Sequence, residues 1–308
     1  MKISFIVCTR NRVASLLQTL DSVVRAIEAA PEAEAEIIVV DNGSEDGTDA
    51  ALKRWSASIS IDRRDVLLLA QARPGVAGSR NAAIARASGD IIAFIDDDCV
   101  VSGQYLRDLI AHYAGDTESV IRGGRVELGS TQDIDFTTKT EALASRLTYP
   151  AHPGGFVHGC NMTCSRAVIE RIGGFDAAFG PGATFRAAED TDFIYRGWAA
   201  GVAVEYVPDM SVKHFHGRRD PRTIDRLHWN YQFGNGALYA KHIGRSPWLI
   251  KHLYWSARNA ARELVGGPCF DAQLGLTWRA IVTANLSGVL AFAWHSARTL
   301  LTRPPARA

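Results

Sequence analysis

The chain has 308 residues, of which 47% are hydrophobic, so it can bury a sizeable core and is too apolar for an intrinsically disordered protein. Lys and Arg number 34 against 33 Asp and Glu, and this net charge of +1 gives no indication of a nucleic-acid partner. The five cysteines lack Cys-x-x-Cys spacing, which argues against a disulfide framework or a zinc ribbon and favours a reducing cytoplasm.

Strand-like and helix-like patterns alternate through the first hundred residues. Apolar runs that predict strands occupy residues 3–7, 37–40, 66–69 and 91–95. Helical spacing of apolar residues covers residues 13–27, 48–55 and 76–87. The first run is too short for the apolar region of a signal peptide. This alternation predicts the α/β class, with a mostly parallel sheet flanked by helices.

The alternation weakens beyond residue 128. Residues 129–156 are rich in proline and glycine and predict a long connection with one short helix. From residue 248 to residue 301 the pattern is helical and apolar, which predicts a helical C-terminal extension. Its most apolar run, residues 280–294, is too short to span a bilayer comfortably.

Three consecutive carboxylates, Asp96, Asp97 and Asp98, follow directly after the apolar run 91–95. At the carboxyl end of a strand in an open α/β sheet they would face the crevice where ligands bind, and close like charges repel one another. Oxygen ligands suit Mg²⁺ or Mn²⁺, to which substrate phosphates add further oxygens. The pattern therefore predicts a metal and phosphate site. The alternative is a solvated acidic turn.

Polar residues also follow two other predicted strands. Thr9, Arg10 and Asn11 come after the first strand, and Asp41 and Asn42 come after the second. Since the carboxyl ends of parallel strands meet at one edge of the sheet, we expect these side chains to converge on the same crevice as the three acids.

A second acidic cluster, Glu189, Asp190 and Asp192, follows the glycine-rich residues 173–182 and precedes a helical pattern. Acids at the start of a helix can simply complement its dipole. With the first cluster holding a metal diphosphate, however, an acid of the second can remove the proton from an attacking hydroxyl. This pairing predicts transferase chemistry.

Residues 208–216 predict a strand that carries His214 and His216 on one face, because residues two apart in a strand point the same way. Imidazole could complete the coordination of Mn²⁺. The alternative is that one histidine packs in the core and the other is solvated.

Several motifs together carry a family resemblance. They occupy residues 6–12, 36–44, 75–98, 159–162, 172–176, 189–192 and 208–214. In order and spacing they resemble the family 2 glycosyltransferases of the GT-A fold, over about residues 1–220. Two positions depart from the family pattern: Cys8 stands where proline is common, and Asn42 stands where a second acid often follows Asp41.

The resemblance implies an inverting transfer from a nucleotide-diphospho-sugar to an acceptor hydroxyl, with Mn²⁺ or Mg²⁺ on the leaving group. It implies a nucleotide-sugar pocket formed by Thr9, Arg10, Asn11, Asp41, Arg80, Asp96 and Asp97. It implies that Asp98, with Asp96 and His214, holds the cation. Asp190 is the implied catalytic base, with Glu189 as a supporting or acceptor-orienting acid and Asp192 as a helix cap or support.

The resemblance also implies a division of the chain. We expect a catalytic domain over residues 1–225, with a nucleotide-sugar half at about 1–128 and an acceptor half at about 129–225, followed by a helical region at 226–308. The expected acceptor is a glycan or a lipid-linked sugar in surface polysaccharide or glycolipid synthesis.

The helical region leaves alternatives open. Apolar Leu286, Leu290, Phe292 and Trp294 lie near the arginines at 279, 298 and 303. This mixture suits peripheral contact with an anionic membrane, at the inner face of the plasma membrane. It equally suits packing against the catalytic core or a homodimer contact.

Two other functions compete with glycosyl transfer. A sugar nucleotidyltransferase also needs acids at strand ends, but its glycine-rich triphosphate loop is missing, because Cys8-Thr9-Arg10-Asn11 follows the first strand. A non-catalytic nucleotide-binding scaffold would be favoured by loss of Asp98 or Asp190, and both acids are present.

Overall fold

The computed structural model describes residues 1–59, 65–73, 75–149 and 151–302. Its strands are β1 Lys2–Thr9, β2 Glu34–Asp41, β3 Val66–Ala70, β4 Ile91–Asp96, β5 Cys99–Val101, β6 Val120–Leu128, β7 Ser145–Arg146, β8 Asn161–Ser165 and β9 Ala203–His214. Its helices are α1 Val13–Glu28, α2 Thr48–Ser58, α3 Val76–Ile84, α4 Tyr105–Tyr113, α5 Arg166–Ile172, α6 Glu189–Ala199, α7 Pro221–His242, α8 Ile250–Leu264 and α9 Trp278–Thr302. A 3-10 turn, Pro247–Leu249, precedes α8.

The chain divides into two compact units. Unit 1 comprises Met1–Ala177 and Glu189–Arg219. Unit 2 comprises Ala178–Ala188 and the described residues from Asp220 onward. Each unit is described by itself.

Unit 1 is built on one sheet with the strand order β3-β2-β1-β4-β8-β6-β9-β5, while β7 pairs with β9 off this path. The predicted α/β class is confirmed. Strands β1 to β4 pair in parallel, as the alternating sequence pattern predicts. The remaining pairings are mixed: β8 runs antiparallel to β4 and β6, whereas β6 and β9 are parallel.

Both faces of the sheet in unit 1 are covered by apolar side chains. Alternate residues of β1 point to opposite faces, so that Phe5 joins a core with α1 and α4, while Ile6 joins a core with the helices of the other face. The run β4 is buried on both sides, from Ile91 to Ile95. The three acids lie at the carboxyl end of this strand, where Asp96 is partly exposed while Asp97 and Asp98 are buried.

Unit 2 contains a close crossing of α7 and α9. A Cβ atom at Gly236 would overlap the carbonyl oxygen of Asn285, and one at Gly288 would overlap the carbonyl oxygen of Phe233. Only glycine lets the two helix backbones approach this closely. Asp220 caps α7 by accepting a hydrogen bond from the backbone N–H of Arg222, with Pro221 in the first turn.

Two details of the sequence prediction differ from the structure, and a third falls on a residue that the structure does not describe. The short helix expected within residues 129–156 is wrong, because the described part of this segment contains β7 but no helix. Phe292 is not on the exposed face of α9, since its ring packs on Phe185 at a centroid distance of 5.6 Å. Arg303 lies outside the described residues.

Helix α9 is also longer than the apolar run that predicts it. Among the described residues, its stretch Trp278–Thr299 is the one helix long and apolar enough to cross a membrane. Length and composition alone are weak indications, because the core helix of a soluble protein meets the same test.

Candidate functional site

The parallel register brings the polar strand ends of unit 1 to one edge. Thr9 pairs with Asp41 across β1 and β2, and Cys8 pairs with Asp96 across β1 and β4. The strand ends therefore converge as the sequence predicts, because the buried apolar residues within these strands set the register.

The acids Asp97 and Asp98 are buried beside a basic residue. The Thr9 hydroxyl donates a hydrogen bond to Asp97 at 2.7 Å, and Arg12 contacts both acids through its Nη1 atom. On its other oxygen, Asp98 lies 3.2 Å from Nε2 of His214. Arg12 and His214 thus offset the repulsion between the neighbouring carboxylates. From the sequence pattern alone, a cation is expected in that role.

Arg80 is the buried cation at the centre of the site. It is 5% exposed at its side chain, and its Nη2 lies 3.0 Å from Asp96 and donates to the carbonyl oxygen of Gly159 at 3.0 Å. Its Nη1 lies 3.3 Å from Glu189. The guanidinium stacks over Phe175 at 5.3 Å from the ring centroid. The side chain of Arg80, on α3, therefore connects Asp96, the last residue of β4, to Glu189, the first residue of α6.

Asp190 and Glu189 have different environments, although they are adjacent. Asp190 is partly exposed and accepts a hydrogen bond from the backbone N–H of Gly159 at 3.0 Å and another from Thr191. Glu189 is buried against Arg80. A substrate hydroxyl can therefore approach Asp190 more easily than Glu189.

Asn11 and Asp41 tie two loops together at the same edge. Asn11 has a left-handed backbone with φ of 55°, and its side-chain oxygen accepts a hydrogen bond from the N–H of Glu45 at 2.7 Å. Its own N–H donates to Ser44, whose N–H donates to Asp41 at 2.9 Å. Arg10 is exposed at the rim. Asn11 and Asp41 are thereby held in place by neighbouring backbone.

The two histidines of the predicted strand point to different carboxylates. β9 ends at His214, whose ring lies 5.2 Å from the ring of His216. His216 is buried and lies 3.7 Å from Asp133, away from the three acids. Asp192 is fully buried and accepts a hydrogen bond from Arg196 at 2.8 Å, which fits a supporting position.

The shared charges shift several pKa values in the site. Burial raises the pKa of Asp97 to about 6, against the opposing effect of Arg12. Burial also opposes ionisation of Asp98, but the hydrogen bonds and charges of His214 and Arg12 hold the pKa of Asp98 well below its usual range. The same contact with Asp98 outweighs burial and raises the pKa of His214 to about 9. Burial and the charge of Asp190 raise the pKa of Glu189 to about 7, against Arg80.

The types of donor atom at this edge are those of a divalent-cation site, although Arg80 contacts Asp96 and Arg12 contacts Asp98. Asp96 and Asp98 supply carboxylate oxygens and His214 supplies an imidazole, a combination that Mn²⁺ accepts and Mg²⁺ accepts less readily. Asp96 is 39% exposed at its side chain, and Asp98 is 5% exposed. Because Arg12 and His214 now occupy both oxygens of Asp98, a cation bound there has to replace Arg12.

Some residues of the site were missed or given no role at the level of sequence. Arg12 contacts two of the three acids, but a basic residue after a strand has no distinctive spacing. Gly159 fixes both Arg80 and Asp190 through its backbone, which no side-chain pattern reveals.

Family models match most of the chain. The model described as Glycosyl transferase family 2 matches residues 4–173, and the model described as Glycosyl transferase family group 2 matches residues 91–302. Glycosyltransferase AglE of Haloferax volcanii is 30% identical over 125 residues, which are 41% of this chain and 39% of that protein. The chain spans 30% to 64% of the length of the curated relatives it matches.

Solved structures resemble the chain over nearly its whole length. The mannosyltransferase PcManGT from Pyrobaculum calidifontis, in complex with GDP-Man and Mn²⁺, aligns with a TM-score of 0.63 and 19% identity over 96% of this chain and 86% of that one. TarS 1-349 of S. aureus in complex with UDP-GlcNAc aligns with a TM-score of 0.55 and 15% identity, over 97% of this chain and 92% of that one.

Proposed function

The chain belongs to glycosyl transferase family 2, and on that premise we propose that it is an inverting glycosyltransferase moving a sugar from a nucleotide-diphospho-sugar to an acceptor hydroxyl. Its fold is that of the GT-A glycosyltransferases. The observation that carries the proposal is the position of Arg80, whose guanidinium contacts Asp96 on one side and Glu189 on the other. Two acid clusters far apart in sequence thus form one site.

The donor side of the proposed site is the edge formed by β1, β2 and β4. We assign the nucleotide base and ribose to Thr9, Asp41 and Asp96, with Arg10 and Asn11 at the rim. The first two are neighbours in the strand register, and Asp96 ends the next strand. The solved neighbours with GDP-Man and with UDP-GlcNAc support a nucleotide-sugar donor as a class.

We assign a divalent cation to Asp98, Asp96 and His214. When bound, the cation neutralises the negative charge that develops on the leaving nucleoside diphosphate. The neighbour holding GDP-Man and Mn²⁺ supports this assignment. Within the chain, Asp97 accepts a hydrogen bond from Thr9 and contacts Arg12, so Arg12 keeps a carboxylate partner when the cation replaces it at Asp98.

Asp190 is the proposed general base. Its carboxylate takes the proton of the acceptor hydroxyl while that oxygen attacks the anomeric carbon from the face opposite the diphosphate, which inverts the configuration. Its hydrogen bond from Gly159 and its position at the start of α6 hold the carboxylate in place. Glu189 acts through Arg80, whose charge it shares with Asp96.

The experiment that tests this function is a screen of nucleotide sugars. A ligand that binds only the folded protein raises its melting temperature, by an amount that grows with the logarithm of ligand concentration. We expect one nucleotide sugar to raise the melting temperature in the presence of Mn²⁺ and to be consumed when a glycan acceptor is supplied. Absence of both effects across uridine, guanosine and thymidine donors would contradict the proposal.

We further propose that the acceptor is a glycan or is carried on a lipid, in surface polysaccharide or glycolipid synthesis, and that the chain works at the cytoplasmic face of the plasma membrane. Leu286, Leu290 and Trp294 are exposed and spaced four apart along α9, so they form one apolar stripe. On α8, Tyr254 and Trp255 are exposed, and such rings favour the membrane interface. The opposite side of α9 faces α7 through Gly288, which favours peripheral contact over a span.

We expect the full chain to co-float with vesicles that contain anionic phospholipid, less so at high salt. The double variant Leu290→Ser with Trp294→Ser should lose this binding, whereas Leu143→Ser, an equally exposed apolar site in unit 1, should keep it. If the chain does not bind anionic vesicles, the membrane proposal is wrong and α9 is a packing or dimer surface. A chain that stays with the membrane after a high-salt wash would indicate a spanning helix instead.

A further inference from the structure

A buried cluster of soft metal ligands lies directly behind Asp98. Cys99, Cys160 and His214 are all buried, and one ligand atom from each lies within 4.8 Å of the others. Both cysteines are free thiols. The proposed glycosyl transfer does not use either cysteine.

Three strands of unit 1 hold these ligands in place. Cys99 opens β5 and is the direct register partner of His214 on β9, so the two side chains lie on the same face of the sheet. Cys160 immediately precedes Asn161, whose amide donates to the carbonyl oxygens of Arg125 and Met210 at 3.0 and 2.8 Å. Sheet pairing therefore fixes the backbone of Cys99 and His214, and Cys160 is held by the strand that begins at the next residue, as a preformed site requires.

His214 has one ring nitrogen to spare. Its Nε2 faces Asp98 at 3.2 Å, whereas its Nδ1 is buried and has no hydrogen-bond partner among the described residues. A buried imidazole nitrogen without a partner is costly in a protein interior. A carboxylate on one nitrogen and a metal on the other is the usual arrangement of a metal-binding histidine.

From this arrangement we propose that Cys99, Cys160 and His214 Nδ1 form a site for a thiophilic divalent cation, of which Zn²⁺ and Cd²⁺ are the representatives. Two thiolates offset the charge of the ion, and thiolate ligands select such ions over Mg²⁺ and Mn²⁺. Tetrahedral zinc places neighbouring sulfur and nitrogen ligands about 3.5 to 3.8 Å apart, so distances within the cluster have to shorten by about 1.3 Å at most.

The site shares His214 with the cation proposed at Asp98. A metal on Nδ1 leaves the ring proton on Nε2, which donates it to Asp98, so Nε2 has no lone pair for the hard cation there. This consequence rests on the proposed function. Because His214 is shared, we expect a thiophilic metal to weaken Mn²⁺-dependent donor binding while leaving the fold intact.

The test titrates metal-stripped, reduced protein with Cd²⁺ and follows the ultraviolet charge-transfer absorbance of cadmium thiolates, with no nucleotide present. We expect saturation at one equivalent per chain, and no displacement by excess Mg²⁺. Cys99→Ala and Cys160→Ala should each weaken Cd²⁺ binding by at least about ten- to a hundredfold. Cys164→Ala, which removes another fully buried thiol from β8, should bind as the wild type does.

Wild-type protein without the absorbance, or a Cys160→Ala variant that keeps it unchanged, would overturn the site. Circular dichroism establishes that each variant is folded. If an alanine variant does not fold, the same question is decided by the rate at which Cys160 of the wild-type protein is alkylated with and without Zn²⁺. We expect Zn²⁺ to slow the alkylation, and an unchanged rate would contradict the proposal. The absorbance does not depend on any sugar donor or acceptor. The metal site can therefore be confirmed even if the donor screen contradicts the proposed glycosyl transfer.

Discussion

Replacing Asp190 by asparagine should lower kcat by about two to four orders of magnitude, the range expected for loss of a positioned general base. The amide keeps the shape of the side chain and can still accept the hydrogen bond from the N–H of Gly159, so the backbone around α6 should stay in place. Donor affinity should be nearly unchanged, because the base acts on the acceptor. Steady-state kinetics with a donor titration separate the two effects.

The matched control for the base is Glu189→Gln. Glu189 is buried against Arg80 and cannot meet a hydroxyl directly, so its variant should retain more turnover than Asp190→Asn. If Glu189→Gln instead had the lower turnover, Glu189 would be the general base, and the proposed reaction class would be unchanged.

Asp98→Asn should reduce transfer by about three orders of magnitude. A bound cation supplies several kcal/mol of charge stabilisation to the transition state, and each 1.4 kcal/mol is a factor of ten. The effect of Mn²⁺ on nucleotide affinity should vanish in the same variant. Asparagine is the informative change, because alanine would leave Arg12 and the buried His214 without their partner and cost stability as well.

Asp90→Asn is the control for this change, since Asp90 directly precedes the other end of β4 and accepts a hydrogen bond from the N–H of Lys2. It should leave transfer and Mn²⁺ dependence as in the wild type. Undiminished transfer by Asp98→Asn, or full activity in excess chelator, would contradict a metal-dependent reaction.

Local patterns were enough to predict the first half of unit 1. The apolar runs of β1, β2 and β4 are continuous because these strands are buried on both faces, and polar residues follow at the carboxyl end of each run. Parallel pairing then brings Thr9, Asp41 and Asp96 to one edge without further information. Prediction succeeds here because burial and strand direction are both local consequences of the sequence.

The second half depends on contacts that no local pattern contains. The antiparallel insertion of β8 between β4 and β6 brings Cys160 toward Cys99, although sixty positions separate them in the chain. The charge partners of the acids were also hidden, because no local pattern shows that Arg12 contacts Asp97 and Asp98 or that the buried Arg80 contacts both Asp96 and Glu189. The need for Gly236 in α7 and Gly288 in α9 is visible only in the structure, where the two helix backbones cross in close contact.

Arg80 makes Asp96 and Glu189 members of one thermodynamic cycle. A donor that draws Asp96 away leaves more of the guanidinium charge to Glu189 and favours its ionised form. Linked equilibria are reciprocal, so ionisation of Glu189 must strengthen donor binding by the same factor. Because the pKa of Glu189 is raised to about 7, this coupling would be visible as donor affinity that increases with pH around neutrality. One buried guanidinium would thus link the occupancy of the proposed donor side to the charge of Glu189 on the proposed acceptor side.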